Sequence, residues 1–219
     1  MTKVVEIRES VMAADEAIAS RIRAICSEKG ILMINLIGSP GSGKTTVLEA
    51  TVRNTDLRYA VIEGDVATTR DADRIAALNI PVVQINTHGG CHLEANLVAR
   101  AFEEIPLDEL DIIVVENVGN LVCPVEFDLG EDRKIAVNSV PEGSDKPLKY
   151  PHLFHKAGAV LLTKTDLLPY IAFDLELFEK DVKNLNPHVP LVKMVATEGK
   201  GIEEWEGILR SWLEEKRKK

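Results

Sequence analysis

Residues 31–45 leave the chain few choices of fold. Ile31-Leu32-Met33-Ile34-Asn35-Leu36-Ile37 is a short apolar run of the kind that forms a buried parallel strand. It leads directly into Gly38-Ser39-Pro40-Gly41-Ser42-Gly43-Lys44-Thr45, which fits G-x-x-x-x-G-K-[ST]. Thr46-Val47-Leu48-Glu49-Ala50 then begins a helical pattern. Strand, glycine loop and helix in that order form the setting in which such a loop binds phosphate. Glycines at 38, 41 and 43 let the backbone turn tightly and approach an anion without a Cβ clash. The N–H groups from Gly41 and Ser42 to Thr46 are then expected to converge on phosphates at the positive end of a helix. Lys44 adds a point charge for the β and γ phosphates, and the Thr45 hydroxyl is placed to hold Mg²⁺. The motif predicts a nucleoside triphosphate site, and its context argues against a glycine-rich turn that binds nothing.

A chain of 219 residues that is 45% apolar suits one α/β domain with a sizeable core. The net charge of −9 argues against a nucleic-acid backbone as partner. The basic end, Lys216-Arg217-Lys218-Lys219, follows Glu214-Glu215 and reads as a solvated tail. Residues 1–10 are polar and charged, with no signal-peptide core. No apolar run approaches the roughly 20 residues that span a bilayer. A cytoplasmic protein without a membrane partner is the expectation. Three cysteines do not suggest a disulfide framework, so each is weighed singly.

Residues 8–29 read as a helix, with Val11, Ile18, Ile22 and Ile25 as its stripe and Ala14 filling a gap. Gly30 is a stop signal, and Cys26 is expected in the core. Residues 1–30 are thus an N-terminal helical extension, and 31–219 the P-loop domain. Strands are predicted at 59–62, 81–85, 111–116, 134–140, 159–162 and 191–195. Helices are predicted at 71–78, 93–102 and across Ile202, Trp205, Leu209 and Trp212, with both tryptophans as core anchors. This β-α alternation implies a P-loop α/β fold with a mostly parallel sheet covered on both faces. Ligands in such sheets sit at the carboxyl ends of the strands. The longest irregular stretches are Asn117 to Arg133 and Pro141 to Pro151.

A P-loop needs an acid for Mg²⁺. Asp65, after the second strand, and Glu116, ending the fourth, both offer one. Glu116-Asn117-Val118-Gly119 resembles the D-x-x-G element of GTPases, with Glu for Asp, and the Gly119 N–H is then a γ-phosphate donor. Asp65 either binds Mg²⁺ or orients the attacking water. Lys44, Asp65 and Glu116 are the candidate catalytic set. Thr163-Lys164-Thr165-Asp166 resembles N-K-x-D, with Thr in place of Asn. One carboxylate at Asp166 pairs with both guanine donors, N1–H and the exocyclic amine, whereas adenine would leave it unpaired. The Lys164 stem lies along the base, and Ala196 falls where GTPases carry a base-contacting loop.

Gly89-Gly90-Cys91-His92 is the most unusual local sequence. A helix is expected to follow it, which would favour the Cys91 thiolate. Cys123 lies in Leu121-Val122-Cys123-Pro124. Thiolate and imidazole together suit Zn²⁺ or Ni²⁺. One chain offers three such ligands, and two chains could pool Cys91, His92 and Cys123 at an axis. The opposing reading is two unrelated loop cysteines and a capping histidine. His88, His152, His155 and His188 show no ligand spacing.

Together these residues resemble the HypB family, GTPases that help insert nickel into [NiFe] hydrogenases. The match runs from Gly38 to Gly201. It rests on the P-loop, Glu63-Gly64-Asp65, Gly90-Cys91-His92-Leu93, Glu116 to Asn120 with Cys123-Pro124, and Thr163 to Asp166. The urease nickel chaperone GTPase is the nearest rival family. The resemblance implies a GTP-dependent homodimer with Mg²⁺ and an interfacial Ni²⁺ or Zn²⁺ site at Cys91, His92 and Cys123. It also implies a hydrogenase large-subunit precursor or an accessory nickel-insertion protein as partner. Lys146 and Lys149 are candidates to reach the other subunit's nucleotide. Some members carry an N-terminal C-x-x-C-G-C site or a His-rich tract, but residues 1–25 here contain neither Cys nor His. The alternatives outside this class are an ATP-dependent small-molecule kinase and a metal-trafficking protein whose nucleotide is structural.

Overall fold

The computed structural model describes residues 7–65 and 74–218; of 7–13 and Asp65 it describes the backbone alone. Seven parallel strands carry the chain: β1 Leu32–Ile37, β2 Tyr59–Asp65, β3 Val82–Asn86, β4 Ile112–Glu116, β5 Arg133–Ser139, β6 Ala157–Thr163 and β7 Leu191–Lys193, in the spatial order β3-β2-β4-β1-β5-β6-β7. β1 therefore lies at the centre, with β4 on one side and β5 on the other. The helices are α1 Ile7–Lys29, α2 Lys44–Asn54, α3 Ala95–Phe102, α4 Cys123–Glu126, α5 Lys146–Lys149, α6 Pro151–Lys156, α7 Leu175–Leu185 and α8 Ile202–Lys218.

Alternation along β1 sorts its side chains to two faces. Leu32, Ile34 and Leu36 pack with Val47 and Leu48 of α2 and Trp205, Leu209 and Leu213 of α8. On the opposite face Met33 joins Ala19, Ile22 and Cys26 of α1 and Val98 and Phe102 of α3. Ile37 joins a further cluster with Leu153 and Phe154 of α6 and Phe178 and Val182 of α7. Between these two clusters stands Asn35, fully buried and hydrogen-bonded to Glu131 and Asn117. A buried polar seam thus runs through the middle of this face, and it leads to the site.

α1 ends as Gly30 predicts. Gly30 takes φ +63°, and the Ile31 N–H reaches back to Cys26 O at 2.8 Å. Ala14, however, is exposed; the buried stripe centres on Ala19, Ile22 and Cys26, with Ile18 and Ile25 only partly covered. Gly130 lets α1 lie close to the chain behind it, since a Cβ there would stand 2.6 Å from Ala19 O. The side chain of Val11 lies outside the described residues.

Pro141 to Pro151 is not irregular. A capping box between Ser139 and Glu142 starts one helical turn, and α5 and the following α6 each carry a proline in their first turn. Within Asn117 to Arg133, Pro124 likewise starts the short α4. The helix α7 is capped by Asp174, whose side chain accepts from the Leu177 N–H; sequence reading missed it. The helix expected at 71–78 is described only from residue 74, where 74–76 are helical. β7 stops at Lys193, and Val195 instead bridges Lys200.

Candidate functional site

The glycine loop fills the gap between the carboxyl end of β1 and α2. Gly41 and Gly43 hold φ +76° and +95°, a region costly for any side chain. A Cβ on Gly38 would run into Val137 O and stand 2.5 Å from Ser42 Oγ. Thr45 Oγ1 donates to Glu116 Oε1 at 2.7 Å, and both residues are buried. The Lys44 Nζ donates to Gly38 O and Ser39 O at 3.3 and 3.4 Å, which bends it back over the loop. Ser42 Oγ is buried with no hydrogen-bond partner among the described residues. A polar cavity of about 510 Å³ opens here, lined by Gly41, Gly43, Lys44, Thr45, Thr46, Glu116, Gly119 and Lys164.

Gly119 sits against the loop. A Cβ there would stand 2.8 Å from Pro40 N, so only glycine permits the approach. Asp65 ends β2, in register with Asn86 of β3; its side chain lies outside the described residues. Glu63, two residues earlier, lines the cavity, buried and in register with Glu116. Arg74 also lines it and pairs with Glu49 at 2.6 Å. Sequence reading missed both. Glu63 was legible as a carboxylate just after the predicted strand, two positions before Asp65. Arg74 carried no motif.

A second cavity of about 250 Å³ adjoins the first through Gly43, Thr46 and Lys164, and Asp166 and Ala196 line it. Lys164, at φ +57°, donates to Gly41 O at 2.7 Å and so lies across the loop. Thr163, the residue in place of Asn, donates from Oγ1 to Ser42 O at 2.6 Å. Its hydroxyl braces the phosphate loop from β6.

The cysteine-histidine segment and Cys123 come together. Ligand atoms of Cys91, His92 and Cys123 all lie within 4.8 Å of one another. Cys91 Sγ is 3.5 Å from His92 Nδ1. The His92 ring stacks on Phe127 at 3.8 Å between centroids, which fixes its plane. His92 Nε2 is buried and has no hydrogen-bond partner among the described residues. Lys134 anchors the other side by donating to Phe127 O at 2.7 Å and Pro124 O at 3.4 Å, and pairs with buried Glu131. α3 begins at Ala95, so Cys91 stands well short of a helix N-terminus. The hydrogen bond with Cys123, then burial, hold the Cys91 thiol above its ordinary value. The helix-terminus effect expected to favour the Cys91 thiolate is therefore corrected: the helix starts only at Ala95, and the thiol is shifted up rather than down. Phe127 was not legible, because nothing in its spacing marks a stacking partner. His152 pairs with Glu126 at 2.5 Å and His155 Nδ1 donates to Leu185 O, outside the cluster.

The parallel sheet, the phosphate loop on its central strand and the acid ending the next strand define a P-loop nucleotide-binding protein. Comparison with known proteins narrows the class. Residues 32–193 match the family model described as CobW/HypB/UreG, nucleotide-binding domain. Over 98% of its length the chain is 46% identical to hydrogenase maturation factor HypB of Escherichia coli K12, covering 73% of that protein. It is 38% identical to the hydrogenase/urease maturation factor HypB of Helicobacter pylori, covering 98% of this chain and 89% of that one. A crystal structure of Helicobacter pylori HypB in complex with nickel superposes with a TM-score of 0.88 at 36% identity, over 92% of this chain and 96% of that one. HypB from Archaeoglobus fulgidus superposes at 0.85 with 33% identity, over 92% and 99%. The chain belongs to the HypB family of hydrogenase maturation factors, within the CobW/HypB/UreG class. Among the described residues no helix is long and apolar enough to cross a membrane.

Proposed function

We infer that the chain is a GTP-hydrolysing metallochaperone that delivers nickel during hydrogenase maturation. The observation that carries the reading is the convergence of Cys91, His92 and Cys123 beside a phosphate-loop cavity. Sulfur and imidazole ligands that are partly exposed suit a metal that is held and then handed on. The nickel-bound relative supports nickel as that cargo.

Residues 31–219 form the nucleotide switch in this reading, with α1 packed on it as an extension through Ala19, Ile22 and Cys26. The loop from Gly38 to Thr46 binds the phosphates, Lys44 neutralises them, and Gly119 reads the γ-phosphate. Thr45 and Glu116, with Asp65, would hold the magnesium ion, which lowers the charge barrier to phosphoryl transfer when bound. The buried Thr45–Glu116 pair, 2.7 Å apart, fits that donor set. Asp166 reads guanine, with Lys164 and Ala196 flanking the base. Three ligands per chain leave a closed site short, so we place the metal at a homodimer interface. Val122, beside Cys123 and 56% exposed, offers that interface an apolar contact. Lys146 and Lys149 on α5 are the basic residues assigned across it. Zinc competes for the same ligands. The receiving partner is the hydrogenase large-subunit precursor or an accessory nickel-insertion protein, in the cytoplasm.

The test joins nucleotide competition to gel filtration with GDP or a non-hydrolysable GTP analogue, with and without Ni²⁺. The reading predicts preference for GTP over ATP and a dimer favoured by the analogue plus metal. ATP preference with a phosphate acceptor would point to a kinase. An elution volume and metal content indifferent to nucleotide would reject the switch.

A further inference from the structure

The segment that carries the metal-ligating residues is gripped from two sides by the strand ends of the nucleotide cavity. Leu93 follows Cys91 and His92 and is fully buried. Its backbone N–H donates to Asn117 Oδ1 at 3.3 Å, and the same oxygen accepts from the Val118 N–H at 3.0 Å. Asn117 Nδ2 in turn donates to Asn35 Oδ1 at 3.2 Å, so the central strand sets the amide's orientation. The Leu93 side chain rests directly on β2. A Cβ on Gly64 would stand 2.9 Å from Leu93 Cγ, so glycine is needed for that contact.

The downstream side is tied as well. Asn120 Nδ2 donates to Cys91 O at 3.2 Å, and its Oδ1 accepts from the Val122 N–H at 2.9 Å, one residue before Cys123. Between the two asparagines lies Gly119, pressed on Pro40 of the phosphate loop.

We propose that Asn117 and Asn120 are positioning residues that convey the nucleotide state of the Gly119 segment to Cys91, His92 and Cys123. The proposal rests on the nucleotide-governed metal reading above and says which groups carry the coupling. Each asparagine is within two residues of Gly119, so a shift of that backbone moves both side chains. Asn117 then displaces the Leu93 N–H, while Asn120 displaces the Cys91 carbonyl and the Val122 N–H. The two thiols change separation together. Phe127, held by Lys134 to the β5 side, keeps the His92 ring as the fixed reference. Neither asparagine touches the ion. They act only through bonds that differ between the two nucleotide states, the condition for any ligand to shift an equilibrium.

The test measures Ni²⁺ affinity of the full chain by competition with a chromophoric chelator. It is done at saturating GDP and again at saturating non-hydrolysable GTP analogue, for wild type, Asn120→Ala and Asn117→Ala. Wild type is expected to show different affinities in the two states. In the variants that ratio should fall toward one, by about fivefold for each coupling hydrogen bond lost. A merely structural role would weaken nickel binding equally in both states and leave the ratio intact; that result, or unaltered binding, overturns the proposal. Should Asn117→Ala fail to fold, having lost a buried acceptor, the half-exposed Asn120→Ala decides alone. Equal nickel affinities in wild type would instead overturn the metal-switch reading itself.

Discussion

Replacing Thr163 by Val tests how the phosphate loop is held. Thr163 is 2% exposed, and its Oγ1 lies 2.6 Å from Ser42 O and 3.4 Å from Asn138 O. A Cβ on Gly43 would stand 3.4 Å from the same oxygen, so loop and side chain are in contact. Valine keeps the volume, so no cavity forms. What is lost is one short O–H···O bond, and Ser42 O keeps no donor from β6. Removing one partner of a buried bond costs about 1–3 kcal/mol. Whatever part of that cost falls on loop preorganisation appears in binding, at about tenfold in affinity per 1.4 kcal/mol. Titration calorimetry with GTP and urea unfolding measure the two parts. Thr163→Ser retains the hydroxyl and should behave as wild type in binding. Wild-type nucleotide affinity together with a wild-type unfolding midpoint for Thr163→Val would refute the bracing role.

Three further outcomes follow from the same geometry. Asp166→Asn should lose GTP and gain xanthosine triphosphate, because the amide donor now faces an oxygen where guanine has an amine; unchanged base preference in a competition assay would remove Asp166 from the base site. Gly119→Ala places a methyl 2.8 Å from Pro40 N, backbone that cannot swing away, and should cost about 1–3 kcal/mol in binding the triphosphate analogue; equal affinities for variant and wild type would mean the segment moves freely. Burial works to raise the Asp111 carboxyl, but hydrogen bonds from Arg58 and Arg217 outweigh it and hold the group well below its usual range. Its contribution is therefore full above the unfolded carboxyl value of about 3.9 and is lost as pH falls through it toward the folded value. Denaturant unfolding between roughly pH 6 and 3 should show Asp111→Asn with a flatter acid-side decline; parallel curves would deny the assignment.

The sheet was legible because fully buried parallel strands read as apolar runs, and β1, β4 and β6 are such runs. The phosphate loop needs particular residues at fixed positions, so its signal survives in one sequence. Short helices were less legible: α5 and α6 rest on a capping box and on prolines in a stretch that composition alone marks as loop. Ala14 and Ala19 differ only in which way α1 rolls, a choice set by α3 and β1 rather than by α1's own pattern. At the site, the metal trio showed in residue type, whereas its supports did not. Asn117, Asn120 and Phe127 act through backbone groups and ring faces, and neither has a fixed spacing. Thr163 read as a departure from N-K-x-D because the bracing bond depends on a loop distant in sequence.

The most direct measurement is equilibrium dialysis of the chain against Ni²⁺ with GDP or with a non-hydrolysable GTP analogue bound, alongside Cys91→Ser and Cys123→Ser. Nickel content should follow the bound nucleotide in the unaltered chain and drop out in either variant. Nickel retained to the same extent whichever nucleotide is present, or retained without Cys91, would contradict a soft-ligand cluster governed from the phosphate loop.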